Sequence, residues 1–254
     1  LLLASRLMER SEKNISSLEN DIIESHEIWP LIHELPDPSL RKPLRIQAVG
    51  DILLARDVGL RIRQNGWKHP FDGAAHLIKQ GDLNFCNLET PASFIGSPYP
   101  GKLPNITFRA NPGALFALKH AGFNLVSLAN NHMTDYGAAA LEETLDALSM
   151  LDIAWAGAGR NKQEAYSPAI IEIKGWRVAL LSYAEGIWSV VEAGKGPGVA
   201  HIIPERIPRD IIKARTEGKA DLVLISLHWG DEYSHRPRAS QRALAKSLID
   251  AGAD

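Results

Sequence analysis

The sequence contains one cysteine, Cys86, among its 254 residues. A disulfide within the chain and a zinc site built on Cys-x-x-Cys are therefore both excluded. Its 28 basic and 30 acidic residues leave a formal net charge of −2, and no long run carries a single sign. This balance disfavours a nucleic-acid-binding protein that relies on bulk positive charge, so we expect no nucleic-acid partner.

Long apolar runs and two common enzyme signatures are also missing. No stretch of about 18 consecutive apolar residues occurs, so we predict no membrane-spanning segment in this sequence. There is no Gly-x-Ser-x-Gly motif, and Gly194-Lys195-Gly196 lacks the other residues of a phosphate-binding P-loop. Cys86 lies inside an apolar run, which is typical of a small buried residue rather than a nucleophile. Serine hydrolases, cysteine hydrolases and nucleoside triphosphatases are therefore disfavoured.

The composition is that of a folded protein, because 45% of the residues are hydrophobic and 23% are charged. Residues 1–43 differ from the rest: residues 11–27 are charged and predict a helix, and four prolines follow within a linker-like stretch. We interpret residues 1–43 as an N-terminal extension and residues 44–254 as one domain.

Four apolar runs of strand length within this domain each end on polar side chains. Residues 44–49 lead to Asp51, residues 82–86 to Asn87 and Glu89, residues 123–129 to Asn131 and His132, and residues 221–227 to His228. In open α/β sheets, ligands bind at the carboxyl ends of parallel strands. The pattern therefore predicts one site built from four strand ends.

A hairpin is predicted beside these parallel units. Residues 169–173 and 177–183 are apolar and flank Lys174-Gly175-Trp176, a short loop with a central glycine. Antiparallel pairing next to parallel units favours an α/β fold in which mixed sheets form a layered sandwich, rather than a purely parallel sheet.

The polar residues at the strand ends offer carboxylate oxygen, amide oxygen and imidazole nitrogen. Such donors suit divalent ions, among which Mn²⁺, Zn²⁺, Fe²⁺ and Mg²⁺ are not distinguished by sequence. Two ions about 3.5–4 Å apart would clamp a phosphoryl oxygen during hydrolysis. The alternative for each residue alone is a helix cap or a turn residue.

Five blocks carry a resemblance to a known family. They are Gly50-Asp51-Ile52-Leu53-Leu54, Asn87-Leu88-Glu89-Thr90-Pro91, the run from Ala129 to Gly137, Gly157-Ala158-Gly159-Arg160-Asn161 and His228-Trp229-Gly230-Asp231-Glu232-Tyr233. In this order they resemble the bacterial capsule-synthesis family of CapA type, which serves poly-γ-glutamate capsule biosynthesis. That family is itself similar to the calcineurin-like metallophosphoesterases.

The resemblance implies a calcineurin-like sandwich and a metal-dependent, phosphoesterase-like hydrolase in cell-envelope polymer synthesis. It implies that Asp51, Asn87, Glu89, Asn131 and His228 are the metal ligands, and that His132 is the acid that protonates the leaving group. Asp135 is a candidate for orienting His132, with a helix-start cap as the alternative.

Three further residues are candidates for binding substrate. Arg160 follows a glycine-containing turn that either holds an anion or is a plain turn. Glu232 and Tyr233 follow His228 and are expected to line the mouth of the site. The expected partners are an anionic polymer or a phosphoester substrate and membrane-bound polymer synthase subunits.

One departure from the superfamily pattern supports a different function. Metallophosphoesterases usually open with Asp-x-His, whereas Ile52 and Leu53 follow Asp51. The alternative is therefore a non-catalytic module that binds an anionic polymer or serves as a scaffold in a capsule synthesis or export complex.

Two expectations concern what lies outside this sequence. Residues 251–254 repeat the turn that elsewhere introduces a strand, so we expect the natural protein to continue with a strand and further site residues. The resemblance also implies a membrane-anchored extracytoplasmic protein whose anchor is not in this sequence.

Overall fold

Two β-sheets packed face to face form the framework of the computed structural model, which describes residues 37–186 and 190–254. The first sheet has four parallel strands in the order β1, β2, β3, β4. Its elements are β1 (Ile46–Ile52), α1 (Arg56–Asn65), α2 (Ala75–Ile78), β2 (Leu83–Leu88), α3 (Leu115–Ala121), β3 (Leu125–Ser127), α4 (Gly137–Met150) and β4 (Ala154–Ala156). Because the strands are parallel, their carboxyl ends meet at one edge.

The second half of the chain forms a mixed sheet and a short two-stranded ladder. Its elements are β5 (Ala158–Gly159), α5 (Lys162–Tyr166), β6 (Ala169–Ile173), β7 (Trp176–Ala184), β8 (Gly198–Val199), α6 (Ile207–Thr216), β9 (Leu222–His228) and α7 (Ala239–Asp250). Strands β6 and β7 pair antiparallel, and β7 pairs parallel with β9. Strands β5 and β8 pair antiparallel.

Side chains that alternate between the two faces of each strand explain why the fold has four layers, with helices outside two central sheets. In β2, Leu83 faces the core between the two sheets, whereas Cys86 packs with α3 and α4 on the other side. In β7, Leu180 faces the same inter-sheet core and Leu181 packs toward α6 and α7. Helices thus cover the outer face of each sheet, and the predicted layered α/β sandwich with mixed sheets is confirmed.

The four predicted strands and the predicted hairpin are all present, with shifted ends. Strand β3 is shorter than the predicted run at residues 123–129, because the chain turns away at the polar residues that follow Leu128. The helix predicted at residues 11–27, and most of the predicted extension, lie outside the described residues. No helix in the described ranges has the length and hydrophobicity that crossing a membrane requires.

A bulge in β1 determines where Asp51 lies. Ala48 pairs with Phe85, but Asp51 pairs with Asn87, so β1 has one more residue than β2 over this stretch. An extra residue of this kind bends the strand and re-aims the side chains that follow. The bulge therefore sets Asp51 directly beside Asn87 at the carboxyl edge.

Gly157 lies where the two sheets approach closely beneath this edge. Its φ is +90°, and a Cβ added there would lie 2.6 Å from the Ala129 Cβ and 2.9 Å from the Ser182 carbonyl oxygen. Nearby, the Ser127 and Ser182 hydroxyls form a buried hydrogen bond of 2.5 Å between the sheets. Only glycine fits this position without displacing backbone.

Gly157→Ala should therefore lower the free energy of unfolding by on the order of 3 kcal/mol, because the added methyl meets backbone and the φ is unfavourable. Gly194→Ala is the matched control, since nothing lies within 4 Å of its added Cβ. The control should change stability by less than about 0.5 kcal/mol. Urea unfolding followed by circular dichroism measures both, and equal midpoints would contradict the steric account.

Candidate metal centre

The ends of β1, β2 and β9 bring two carboxylates and an imidazole together. Asp51 comes from β1, Glu89 directly follows β2, and His228 is the last residue of β9 in the other sheet. One ligand atom from each lies within 4.8 Å of the other two. The site therefore spans both sheets, as expected for strand ends that meet at one edge.

His228 faces oxygen atoms with one ring nitrogen and an amide nitrogen with the other. Its Nε2 lies 3.0 Å from Asn131 Oδ1 and 3.5 Å from Glu89 Oε1. Its Nδ1 lies 3.4 Å from Asn87 Nδ2. Because an amide nitrogen only donates, Nδ1 is the acceptor and the ring proton is on Nε2. A cation placed among these atoms would replace that proton.

Asn130 holds the frame of the site. Its Oδ1 accepts hydrogen bonds from the backbone N–H groups of His132 (3.1 Å) and Met133 (3.0 Å). Its Nδ2 must then donate, and it does so to Asn87 Oδ1 (3.1 Å) and the Leu88 carbonyl (2.8 Å). The side chain is completely buried. Asn130 belongs to the motif from Ala129 to Gly137, but the sequence alone did not indicate its role.

This network orients Asn87. With its oxygen bound to Asn130, Asn87 turns its nitrogen outward and donates to Asp51 Oδ1 at 2.8 Å. In this arrangement Asn87 donates to the Asp51 carboxylate and its oxygen is bound by Asn130, while its assignment as a metal ligand stays a prediction.

The surroundings of the cluster disfavour the charged forms of Glu89 and His228. Burial, followed by the nearby carboxylates of Asp51 and Glu232, raises the pKa of Glu89 to about 7. Burial lowers the pKa of His228 below its usual value, although the carboxylates of Asp51 and Glu232 act in the opposite direction. The positive charge of Lys102 acts in the opposite direction on Glu89 but does not offset burial and the neighbouring carboxylates.

His132 lies beside this cluster and is held by a hydrogen bond to a buried carboxylate. Its Nδ1 lies 2.9 Å from Asp135 Oδ2, and the ring stacks on Phe108 with centroids 4.3 Å apart. Asp135 also accepts from the Phe108 N–H at 2.7 Å and from the Lys102 ammonium. Lys102 donates in addition to the Asn131 carbonyl at 2.8 Å. Asp135 thus contacts the His132 ring directly, and its role in orienting that ring stays a prediction.

Lys102 was missed by the sequence reasoning. It lies in a loop rich in glycine and proline, 33 residues before Asp135, and no motif or periodicity marks it. Only the folded chain brings its ammonium to the buried carboxylate.

The three candidate substrate-binding residues occupy different surroundings. Glu232 is exposed and near enough to raise the pKa of Glu89, and Tyr233 is 96% exposed. Arg160 forms ion pairs of 2.7 Å with both Asp146 and Glu164. Glu232 therefore borders the cluster of candidate metal ligands. The guanidinium of Arg160, by contrast, is bound by two carboxylates.

Comparisons with known proteins identify a family and several relatives of this chain. Residues 45–254 match the family described as bacterial capsule synthesis protein PGA_cap. The capsule biosynthesis protein CapA of Bacillus anthracis is 34% identical over 215 residues, which cover 83% of this chain and 52% of that protein. The PGA biosynthesis protein CapA of Bacillus subtilis is 30% identical over 208 residues, with coverage of 81% and 54%.

A solved structure, the NAD nucleotidase of Haemophilus influenzae, aligns with a TM-score of 0.46 at 13% identity. The alignment covers 80% of this chain and 36% of the nucleotidase, and it is too distant to assign an activity. This chain spans about half the length of the CapA relatives that it matches. With the family profile covering nearly all of the predicted domain, the chain belongs to the bacterial capsule synthesis protein family.

Proposed function

We propose that this chain is a divalent-metal-dependent hydrolase that cleaves a phosphoester or a related bond in the synthesis of an anionic capsule polymer. One observation carries the proposal: Asp51, Glu89 and His228 converge within 4.8 Å, next to a histidine that is bound to a buried carboxylate. The names of the Bacillus relatives, which refer to capsule and PGA biosynthesis, support the polymer pathway.

The donors fit a divalent ion. Asp51, Glu89 and His228 would hold it, with Asn131 Oδ1 next to the imidazole as a fourth donor. Burial and acidic neighbours raise the pKa of Glu89, and a cation bound here would offset both effects. When bound, such ions supply an activated water and stabilise the developing negative charge. Resemblance to the metallophosphoesterases supports a second ion in addition to the one that this cluster would hold.

His132 would hold the proton for the leaving group. Asp135 accepts a hydrogen bond from Nδ1–H, which leaves Nε2 as the atom that can give a proton to a substrate oxygen. Phe108 packs against the ring and limits its rotation. Lys102 neutralises part of the charge on Asp135 and so makes its complete burial tolerable.

A binding or scaffold function is the second candidate. The observation in its favour is that Ile52 and Leu53 follow Asp51, where metallophosphoesterases usually have a histidine two residues after the aspartate. A membrane-bound polymer synthase would be the partner of such a module.

Metal binding tests the first part of the proposal. In calorimetry with Mn²⁺, Asp51→Asn and His228→Ala should each weaken binding by at least about tenfold, because each removes a ligand. Asp250→Asn, a change of the same type at an exposed position, should leave the affinity within about twofold. Equal affinity in all variants would contradict the assignment of the cluster.

The pH dependence of stability tests the electrostatics without metal. The pKa of Glu89 in the folded state, about 7, lies above its usual 4.5, so the folded chain binds more protons between these values. The stability from this group is present below pH 4.5 and lost as the pH rises through 7. The difference between these two pKa values corresponds to a free energy of unfolding of about 3 kcal/mol.

Glu89→Gln should therefore stabilise the protein in EDTA at pH 8 relative to the unmodified chain, with the gap shrinking toward pH 4.5. Urea unfolding at several pH values measures this gap. Glu217→Gln, at an exposed residue, should show no such trend. A gap that does not change with pH would disprove the raised pKa.

Turnover of a chromogenic phosphodiester in Mn²⁺ tests the role of His132. His132→Ala should lower kcat by about 10²- to 10⁴-fold while Mn²⁺ binding persists. His76→Ala, at an exposed histidine, should retain full activity. Bound Mn²⁺ without turnover by the unmodified chain would favour the binding or scaffold function instead.

A further inference from the structure

A cavity of about 620 Å³ lies along α1, outside the metal cluster. Three arginines line it: Arg56 at the start of α1, Arg63 in its last turn, and Arg109 from the loop before α3. We call this cavity the arginine groove. Asp57 is the acidic residue in its lining, so the groove has a net positive charge.

The three guanidinium groups are exposed and carry no carboxylate partner among the described residues. Arg56 lies over the Phe108 ring at 5.5 Å, and Arg109 lies over the Tyr136 ring at 4.3 Å. Arg109 also donates to the Ile95 carbonyl at 3.1 Å. Stacking on aromatic rings holds a guanidinium in place and leaves its charge available to an anion.

The groove adjoins the candidate centre through Phe108. The same ring that Arg56 covers stacks on His132, and the Phe108 N–H binds Asp135. Arg56 is also only five residues beyond Asp51 in the sequence. Arg56 therefore marks the end of the groove nearer to the candidate acid, His132.

The spacing of the arginines favours an extended anion over a compact one. Arg56 is the first residue of α1 and Arg63 lies in its last turn, so they stand about 10 Å apart along the axis. The groove also presents apolar surface from Leu60, which lies between the two arginines in the sequence, and from Trp67, which follows Arg63; they are 46% and 38% exposed. A chain whose carboxylates are separated by aliphatic segments matches this alternation, whereas a single phosphate would reach one arginine.

We propose that the arginine groove binds a polycarboxylate chain, such as linked glutamate residues, and leads it to the metal centre. The role of the groove in delivering a substrate rests on the proposed function. Binding of the chain to the groove does not. The binding site is physically separate from the metal ligands and is testable without metal.

The test measures binding of a fluorescent γ-linked glutamate decamer to the full chain in EDTA at low ionic strength. Arg63→Gln and Arg109→Gln should each weaken binding at least about threefold, and the double variant at least about tenfold. Arg61→Gln is the matched control: it changes the same charge on the same helix, but Arg61 does not line the groove. Its affinity should stay within about twofold.

Other outcomes separate the possibilities. Equal weakening by Arg61→Gln would show general surface charge and overturn the proposal. Inorganic phosphate or a single-stranded DNA oligomer that competes as well as the unlabelled decamer would overturn the polycarboxylate assignment. Binding that needs Mn²⁺ would place the ligand at the metal centre and overturn the groove. Decamer binding through the groove in a chain that shows no phosphodiester turnover would refute the hydrolase and leave this inference standing.

Discussion

The buried amide of Asn130 is the interaction on which the rest of the site depends. Its oxygen takes two backbone donors from the turn that carries His132, and its nitrogen reaches Asn87 and the end of β2. One side chain thus joins the turn with the candidate acid to the strand beside the candidate metal ligands. All four of its hydrogen bonds are made inside the protein, where an unmet donor or acceptor would be costly.

The packing of the two sheets against each other explains why this arrangement requires most of the chain. Asp51 and Glu89 belong to the first sheet, and His228 ends a strand of the second. The inter-sheet core, with Leu83 and Leu180 among its members, sets the distance between them. Gly157 lets the sheets approach below the site, because any side chain there would meet Ala129 and Ser182. The geometry of the candidate centre is therefore a property of the packing between layers.

Strand ends were predictable from sequence, and side-chain orientation was not. Apolar runs that stop on polar residues were enough to bring Asp51 and Glu89 to one edge, since parallel strands end together. That His228 meets them depends on how the second sheet packs against the first. The orientation of Asn87 depends on Asn130 and, through it, on two backbone donors in another loop. Lys102 and Arg109 come from loops without periodicity, so no local pattern could place them. Arg160 stands in a recognisable block, yet its carboxylate partners come from α4 and α5.

Electrostatics link the arginine groove to the candidate metal centre. Without a cation, Asp51, Glu89 and Glu232 form an acidic mouth that repels a negatively charged polymer. A divalent ion among the first two carboxylates would reverse the sign of the potential there. The positive surface would then run from Arg63 past Arg56 and Phe108 to His132. Under the proposed function, metal loading therefore serves two purposes: it completes the reacting centre and it allows an anionic chain held in the groove to enter it.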